Sequence, residues 1–371
     1  MAYFKFNNIK VAGVAAAVPT NCVKTETYKP VFGDEEVEKF MNLTGVRASH
    51  RTSEYQTCSD LGYAAAKKLL EKKGVSPDEI GALFFVSHSP DYRRPSTAFV
   101  LQYRLGIPQE AVCYDISLGC SSLVNGMQAA SSIIETCPEI NKALLFVGDT
   151  AGKSVNKDDR SSVMLFGEAG AVMLLERSEG NGDSISALLR SDGSGFKYMI
   201  VPGGGYRYLH APAEAFMCED GNPRSLHNSF IQGTSVFTFT IFDVPRIIKD
   251  FWSKTGTTVD DYDCFAFHQA NLSILKQIAK KTKIPLEKLP ITLDRYGNTS
   301  GASAILSLCD VYGNCEEHKT IKVMACGFGI GLSWGVTSFE ISTDDIIPII
   351  EDDTVFEEGL FTNPNQLYSK I

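Results

Sequence analysis

The chain has 371 residues, 44% of them apolar and 21% charged, which is long enough for more than one core and too apolar for a disordered chain. Its formal net charge of −9 argues against nucleic acid or anionic membrane as a general partner, and no apolar run reaches the roughly 18–20 residues of a spanning helix. The ten cysteines are scattered, with no C-x-x-C pair, so neither a zinc site nor a disulfide framework is indicated and a reducing cytoplasm is the expected setting.

Residues 11–18 (VAGVAAAV) follow Lys5 and Lys10 like the apolar part of a secretion signal. They are Ala-rich, contain Gly13 and stop at Pro19, so they are expected to form an opening β-strand. From there β-like runs alternate with helical patterns, predicting an α/β fold with covered sheets. A first strand leads to His88, and a helical stretch follows. Then come Gly106-Ile107-Pro108, a strand ending at Asp115, and Gly119-Cys120 opening a helix. A later passage repeats this order, with a strand ending at His268, a helix, Lys283-Ile284-Pro285, a strand expected to end at Asp294, and Gly297-Asn298 before an apolar helix. The shared Ile-Pro and Asp-to-Gly landmarks point to an internal duplication. Its seam is expected in the polar, Gly-containing residues 178–184 (SEGNGDS), which have no apolar period. The expected division is 1–178, 179–340, and an acidic C-terminal extension, 341–371.

Leu123, Met127, Ala130 and Ile134 make one buried helical stripe that stops before Pro138. Cys120 is thereby expected at the first turn, where free backbone N–H groups and the helix dipole favour a thiolate. An exposed dipole is worth about 0.3–1 kcal/mol, less than one pKa unit, so the nucleophile needs a base or hydrogen-bond partner. Free cysteine is more often a small buried hydrophobe, the reading adopted for Cys22, Cys58, Cys113, Cys137, Cys218, Cys264, Cys309, Cys315 and Cys326. Four of the histidines, His50, His210, His227 and His318, lie in polar surroundings and read as surface residues, whereas His88 and His268 end matching strands. On local grounds His268 can be structural and Asn298 an ordinary helix cap; the residues alone leave both open.

The chain resembles the thiolase-fold condensing enzymes, and among them the β-ketoacyl-[acyl-carrier-protein] synthase III family. The matching stretches are 44–47 (TGVR), 115–120 (DISLGC), 166–171 (FGEAGA), 233–237 (GTSVF), 267–271 (FHQAN), 294–300 (DRYGNTS) and 327–335 (GFGIGLSWG). The most specific feature is H-Q-A-N followed thirty residues later by G-N-T-S. The resemblance implies a thiolase-like α/β fold, duplicated into five layers (α-β-α-β-α), and a catalytic set of Cys120, His268 and Asn298. It implies an oxyanion hole from the backbone N–H groups of Cys120 and Ile330. An acyl group would move from a thioester onto Cys120. A malonyl thioester would then lose carbon dioxide while His268 and Asn298 hydrogen-bond the enolate oxygen, and the carbanion would attack acyl-Cys120 to give a 3-oxoacyl product.

This is the reaction of a 3-oxoacyl-[acyl-carrier-protein] synthase III-like acyltransferase in fatty-acid, lipid or polyketide synthesis. An acyltransferase of the same fold acting on an oxygen or nitrogen nucleophile is the alternative. The resemblance further implies thioester substrates on coenzyme A or acyl carrier protein, with no metal or resident cofactor. It also implies a cytoplasmic homodimer, no nucleic-acid or membrane partner, and substrate contacts from Arg47, Arg160, Phe237 and Asn271.

Departures from the family pattern bear on the substrate. Degradative thiolases and elongating synthases carry His where this chain has Asn298, and thiolases carry a second Cys where it has Phe328, so thiolytic cleavage is not expected. Lys39, Phe40 and Leu43 stand where the initiating enzymes carry a Trp before the motif that here is T-G-V-R (44–47), and Ser273 stands where they carry Arg. Both changes weaken the nucleotide grip and suggest a carrier-bound or different donor. Arg93 and Arg94 replace an apolar residue expected to reach the partner's acyl pocket, so either the acyl group is polar or Arg94 faces solvent. Residues 206–228 are an insertion, either a lid or a surface loop. Lys276, Lys280, Lys281 and Lys283 form a basic helix face, either solvated or suited to an acidic carrier protein.

Overall fold

Two mixed β-sheets built on the same strand logic organise the computed structural model, which describes residues 2–178 and 184–368. The strands used below are β1 (Ala2–Asn7), β2 (Ile9–Val18), β3 (Ala82–Val86), β4 (Val112–Ile116), β5 (Lys142–Asp149) and β6 (Ala169–Arg177). They continue with β7 (Ser184–Ser191), β8 (Cys264–Phe267), β9 (Thr320–Gly329), β10 (Ser333–Ser342) and β11 (Ile350–Glu351). The covering helices are α1 (Cys58–Lys73), α2 (Thr97–Leu105), α3 (Ser122–Thr136), α4 (Gly233–Thr255), α5 (Leu272–Thr282) and α6 (Ser303–Tyr312).

One sheet runs β11-β2-β6-β5-β3-β4 and the other β1-β7-β10-β9-β8. In the first, β6 is antiparallel to β2 and β5, and β3 is parallel to β5. In the second, β10 is antiparallel to β7 and β9, and β8 is parallel to β9. The order β2-β6-β5-β3 is therefore repeated as β7-β10-β9-β8, as a duplicated fold requires.

The repeat breaks at one place. β4 extends the first sheet beside β3, but the strand expected before Asp294 is absent, and Asp294 lies in a short helix, Leu293–Tyr296. Pro290 has no N–H for a ladder, and the Gln269 side chain takes the partner's place. Its amide donates to Pro290 O (3.1 Å) and its oxygen accepts from Thr292 N (3.2 Å).

Alternation along each strand sends successive side chains to opposite faces, which separates the interior into three apolar layers. Leu61, Leu69 and Leu101 of α1 and α2 pack on Leu83, Leu144 and Phe146 at the outer face of the first sheet. Ile248, Phe251, Ile274 and Ile278 of α4 and α5 pack on Phe265, Phe267 and Val336 at the outer face of the second. Between the sheets, Met127, Ala130 and Ile134 of α3 and Ile305 and Leu308 of α6 meet Leu145 and Met173 on one side and Val323 and Ala325 on the other. The α3 stripe read from the sequence is thus the central layer of an α-β-α-β-α stack. Burying each such side chain contributes about 1.5–3 kcal/mol.

Both chain ends cross between the halves. β1 pairs with β7 in the second sheet, and β11, from the acidic extension, pairs with β2 in the first. The extension continues over its own first half, where Gln56 donates to Asp352 O, Tyr92 to Gly359 O and Tyr103 to Glu358. Phe356 lies against the Arg104 guanidinium, 4.5 Å from ring centre to carbon, and covers its buried 2.9 Å pair with Asp60. Most of the expected seam (178–184) and the division at 178/179 lie outside the described residues.

One histidine departs from its expected surface position. His50 is buried: its Nδ1 lies 2.5 Å from Pro19 O and its ring stacks on Tyr296. Polar sequence neighbours did not keep it exposed because its short two-stranded ribbon (Cys22–Lys24 with Ala48–His50) brings it against Pro19 and Tyr296.

Candidate active site

The chemistry-bearing residues lie just beyond the carboxyl ends of parallel strands. His88 follows β3, Cys120 follows β4, and Asp149 ends β5. From the other half, His268 follows β8, and the segment carrying Asn298 and Ser300 precedes α6. Helix α3 begins at Ser122, so Cys120 sits two residues ahead of it, in a turn closed by Ser122 N to Gly119 O (2.8 Å), rather than in the first helical turn.

Two glycines make this arrangement possible. A Cβ on Gly329, at the end of β9, would stand 2.7 Å from Cys120 Cβ and 3.1 Å from its Sγ. The Gly-rich strand end therefore lies directly against the sulfur, with Ile330 as the next residue. A Cβ on Gly119 would meet His88 Cδ2 at 2.8 Å.

Cys120 remains partly exposed, yet burial of its sulfur pushes the thiol up to about 12. The Ser300 hydroxyl and the residue's own backbone N–H pull the other way, while Asp149 adds to the rise. The resting group is a thiol, and the helix end alone does not make it a thiolate.

Ser300 connects the three residues singled out in the sequence. Its Oγ lies 3.7 Å from Cys120 Sγ, its carbonyl 3.1 Å from His268 Nδ1, and its N–H donates to Asn298 Oδ1 at 2.9 Å. It does so at φ +49°, in the left-handed region that a side-chain-bearing residue adopts only when its surroundings hold it there. Sequence reasoning placed Ser300 in a motif without assigning it a task.

The His268 ring has a defined tautomer. Its Nδ1 faces Ser300 O, a pure acceptor, and Ser303 Oγ, whose hydrogen is already given to Ser300 O at 2.6 Å. Nδ1 therefore carries the proton and Nε2 keeps its lone pair. Burial lowers the ring from 6.5 to about 4, with the Ser300 carbonyl opposing, so it is neutral at pH 7. Neutral His268 accepts at Nε2 and donates there only after gaining a proton.

The same depression bears on acid stability. Because the folded value lies below 6.5, the stability this group contributes is complete above pH 6.5. It is lost as pH falls toward 4, where the unfolded imidazole binds a proton that the folded one refuses. Urea-unfolding midpoints should fall across that window. His268→Gln should flatten the fall by on the order of 3 kcal/mol.

Asn298 is buried and is not a helix cap; α6 starts five residues later. Its backbone is clamped to the F-G-E-A-G stretch by Asn298 N to Leu165 O (2.9 Å) and Gly167 N to Asn298 O (3.0 Å). With Oδ1 held by Ser300 and one Nδ2 hydrogen given to Ala270 O (3.3 Å), the second Nδ2 hydrogen is left to offer.

Asp149 escaped sequence reasoning. Its carboxylate is buried, with the residue 3% exposed. Oδ1 accepts from Ser87 Oγ (2.8 Å), His88 N (2.8 Å) and Ser89 Oγ (3.1 Å), and Oδ2 from Ser300 Oγ (2.5 Å). The one available signal was an acid ending an apolar strand.

The four expected substrate contacts are more dispersed. Arg47 is exposed, on a loop packed against the start of α5 through Gly45 and Leu272. Asn271 lies beside that loop, but its Oδ1 caps α5 by accepting from Ile274 N (2.8 Å), leaving only its amide N–H groups. Arg160 faces Glu36 at 3.7 Å, and Phe237 is exposed near the start of α4.

The insertion at 206–228 is fastened rather than free. Arg224 pairs with Asp159 at 2.6 Å, their side chains 5% and 1% exposed, and also with Asp220. Arg93 and Arg94 are exposed in the single chain, and Arg94 donates to Tyr206 OH of the insertion (2.9 Å).

Residues 114–193 match the family 3-oxoacyl-[acyl-carrier-protein (ACP)] synthase III, and residues 252–341 match its C-terminal family. The chain is 32% identical over 301 residues to a β-ketoacyl-[acyl-carrier-protein] synthase III of Caldanaerobacter subterraneus subsp. tengcongensis, covering 81% of this chain and 88% of that one. It is also 32% identical to one from Streptococcus pneumoniae strain Hungary19A-6, covering 88% and 97%. A crystallised 3-oxoacyl-(acyl-carrier protein) synthase from Burkholderia xenovorans LB400 superposes with a TM-score of 0.88 at 34% identity, over 95% of this chain and 99% of that one. The priming β-ketosynthase of the R1128 polyketide pathway shares the fold, with a TM-score of 0.80 at 23% identity, over 92% of this chain and 97% of that one. With these matches spanning both halves and the Gly-rich strand end, the chain belongs to the β-ketoacyl-[acyl-carrier-protein] synthase III family of condensing enzymes.

Proposed function

We propose that the protein condenses an acyl group held on Cys120 with a malonyl thioester. The observation that carries this reading is the convergence on Ser300 of Cys120 from one half with His268 and Asn298 from the other. Cys120 attacks a thioester donor, and the developing oxyanion is met by the backbone N–H groups of Cys120 and Ile330, a reading supported by the close approach of the preceding residue, Gly329, to the sulfur. Decarboxylation of the malonyl thioester leaves an enolate, which needs charge stabilisation rather than a strong base. The free Nδ2 hydrogen of Asn298 supplies one donor, and His268 supplies a second once negative charge beside Nε2 has drawn a proton onto it. The carbanion then attacks acyl-Cys120, releasing the 3-oxoacyl thioester and the sulfur.

The substrates in this reading are thioesters on coenzyme A or acyl carrier protein, with Arg47, Arg160, Phe237 and Asn271 as the contacts the family resemblance implies. A carrier protein is acidic, and exposed Lys276, Lys280 and Lys283 on and just after α5 continue into a shallow surface lined by Phe242, Arg246, Lys249 and Lys281. Homodimerisation fits the open edge of β4, where Tyr114 is 46% exposed beside a similarly exposed Phe99 on α2. No helix among the described residues is long and apolar enough to cross a membrane, and ten free thiols accord with a reducing cytoplasm.

The test is to offer acyl donors and then carboxyl-labelled malonyl thioesters on both handles. The expected result is an acyl mass on Cys120 followed by release of labelled carbon dioxide and a 3-oxoacyl product. If Cys120 is acylated while both malonyl thioesters stay intact, condensation fails and acyl transfer to oxygen or nitrogen replaces it.

A further inference from the structure

Resting on Cys120 as the nucleophile, we propose that Asp149 is a positioning residue that governs the Cys120 proton through Ser300, in a relay Cys120 Sγ–Ser300 Oγ–Asp149 Oδ2. The direction of each bond follows from hydrogen count. Of the four groups on Asp149, the His88 N–H can only donate and the three serine hydroxyls are able to donate, so a carboxylate satisfies all four bonds. Ser300 has one hydroxyl hydrogen and gives it to Asp149 at 2.5 Å, so its lone pairs face Sγ at 3.7 Å and the thiol donates to it.

Ser300 cannot drift from this position. Its N–H is held by Asn298, its carbonyl by His268 and Ser303, and its backbone has φ +49°. The missing side chain of Gly119 keeps the space open, since a Cβ there would lie 3.2 Å from Ser300 Oγ and 3.3 Å from Asp149 Oδ2.

The relay addresses the cost of making a thiolate in a dry site. Creating a second buried anion is expensive, whereas moving the existing one from Asp149 to Cys120 leaves the buried charge unchanged. During loading from a donor RCO–SR′, the thiol proton passes to Ser300 Oγ and the former Ser300 proton to Asp149 Oδ2. Sγ bonds the acyl carbon, and the C–SR′ bond breaks with its electron pair on sulfur. The proton returns from Asp149 through Ser300 to R′S⁻, giving R′SH and restoring the carboxylate.

The titratable groups facing the relay are His88, whose backbone N–H is on Asp149, Cys58 of α1, 3.6 Å from Ser87 Oγ, and His268. The Cys58 thiol is pushed well up by burial and His268 is neutral at pH 7.

Asp149→Asn discriminates by sign. If Asp149 acted only as a nearby negative charge, its removal would ease thiolate formation and speed the reaction. The relay requires the reverse. Iodoacetamide labelling of Cys120, read by peptide mass spectrometry from pH 6 to 9, should be at least ~10-fold slower at pH 7 in Asp149→Asn and in Ser300→Ala. The double variant should be no slower than the slower single one. Labelling of folded Asp149→Asn at or above the native rate overturns the proposal, as does an additive double variant. Should the Asp149→Asn variant not fold, Ser300→Ala carries the same test, and labelling there at or above the native rate overturns it. A native protein that accepts no acyl group on Cys120 instead refutes the condensing function; acylation with no slowing in the variants refutes the relay alone.

Discussion

Cys120→Ala is expected to lose acyl loading entirely and condensation by about four orders of magnitude or more, while keeping malonyl decarboxylation. The separation follows from how the site is tied together. The donor groups proposed for the enolate are oriented without the sulfur: Asn298 by Ser300 N and Ala270 O, His268 by Ser300 O. Removing Sγ leaves these bonds in place and removes only the atom to which the acyl group is joined. Intact-protein mass after exposure to acyl donors and carbon dioxide release from a carboxyl-labelled malonyl thioester read the two steps apart. An acyl mass persisting in the variant would place the nucleophile elsewhere. Loss of both steps would mean that the sulfur also orients the donors, against the bonding described.

Asn298→Ala should show the complementary pattern. One well-placed donor to a developing oxyanion is worth about 2.7–4 kcal/mol, so decarboxylation should fall by about 10²–10³-fold. Loading of Cys120 should change much less. Alanine also frees Ser300 N from its Oδ1 acceptor, so Asn298→Asp provides the control, keeping an oxygen for Ser300 while removing the Nδ2 donor. Both variants should fail in decarboxylation. A normal rate of carbon dioxide release in Asn298→Ala would end the enolate role for this residue.

Much of the site was legible because the signals are short-range. Cys120 after small residues and before a helical stripe depends on a few neighbours in sequence, and His268 and Asn298 stand out through the short family motifs F-H-Q-A-N and G-N-T-S that the chain resembles. The misreadings arose where distant groups decide the outcome. The missing strand before Asp294 depends on Gln269 satisfying the backbone at Pro290 and Thr292. His50 was read as exposed from its neighbours, although the Pro19 carbonyl and the Tyr296 ring cover it. The His268 tautomer depends on Ser300 O and Ser303 Oγ, which no pattern around His268 reveals.

The α/β class and the duplicated order of elements can be read without coordinates, and the three residues proposed for catalysis follow from the family motifs the chain resembles. Periodicity, turn chemistry and motif spacing are properties of contiguous residues, so they are complete in the linear chain. That Ser300 joins those three residues, and that Asp149, 151 positions away in the chain, lies behind it, emerges only from the packing of the two halves. Proton direction in a buried network is set by which donor meets which acceptor across both halves, and that pairing exists only once the two sheets have closed on α3 and α6.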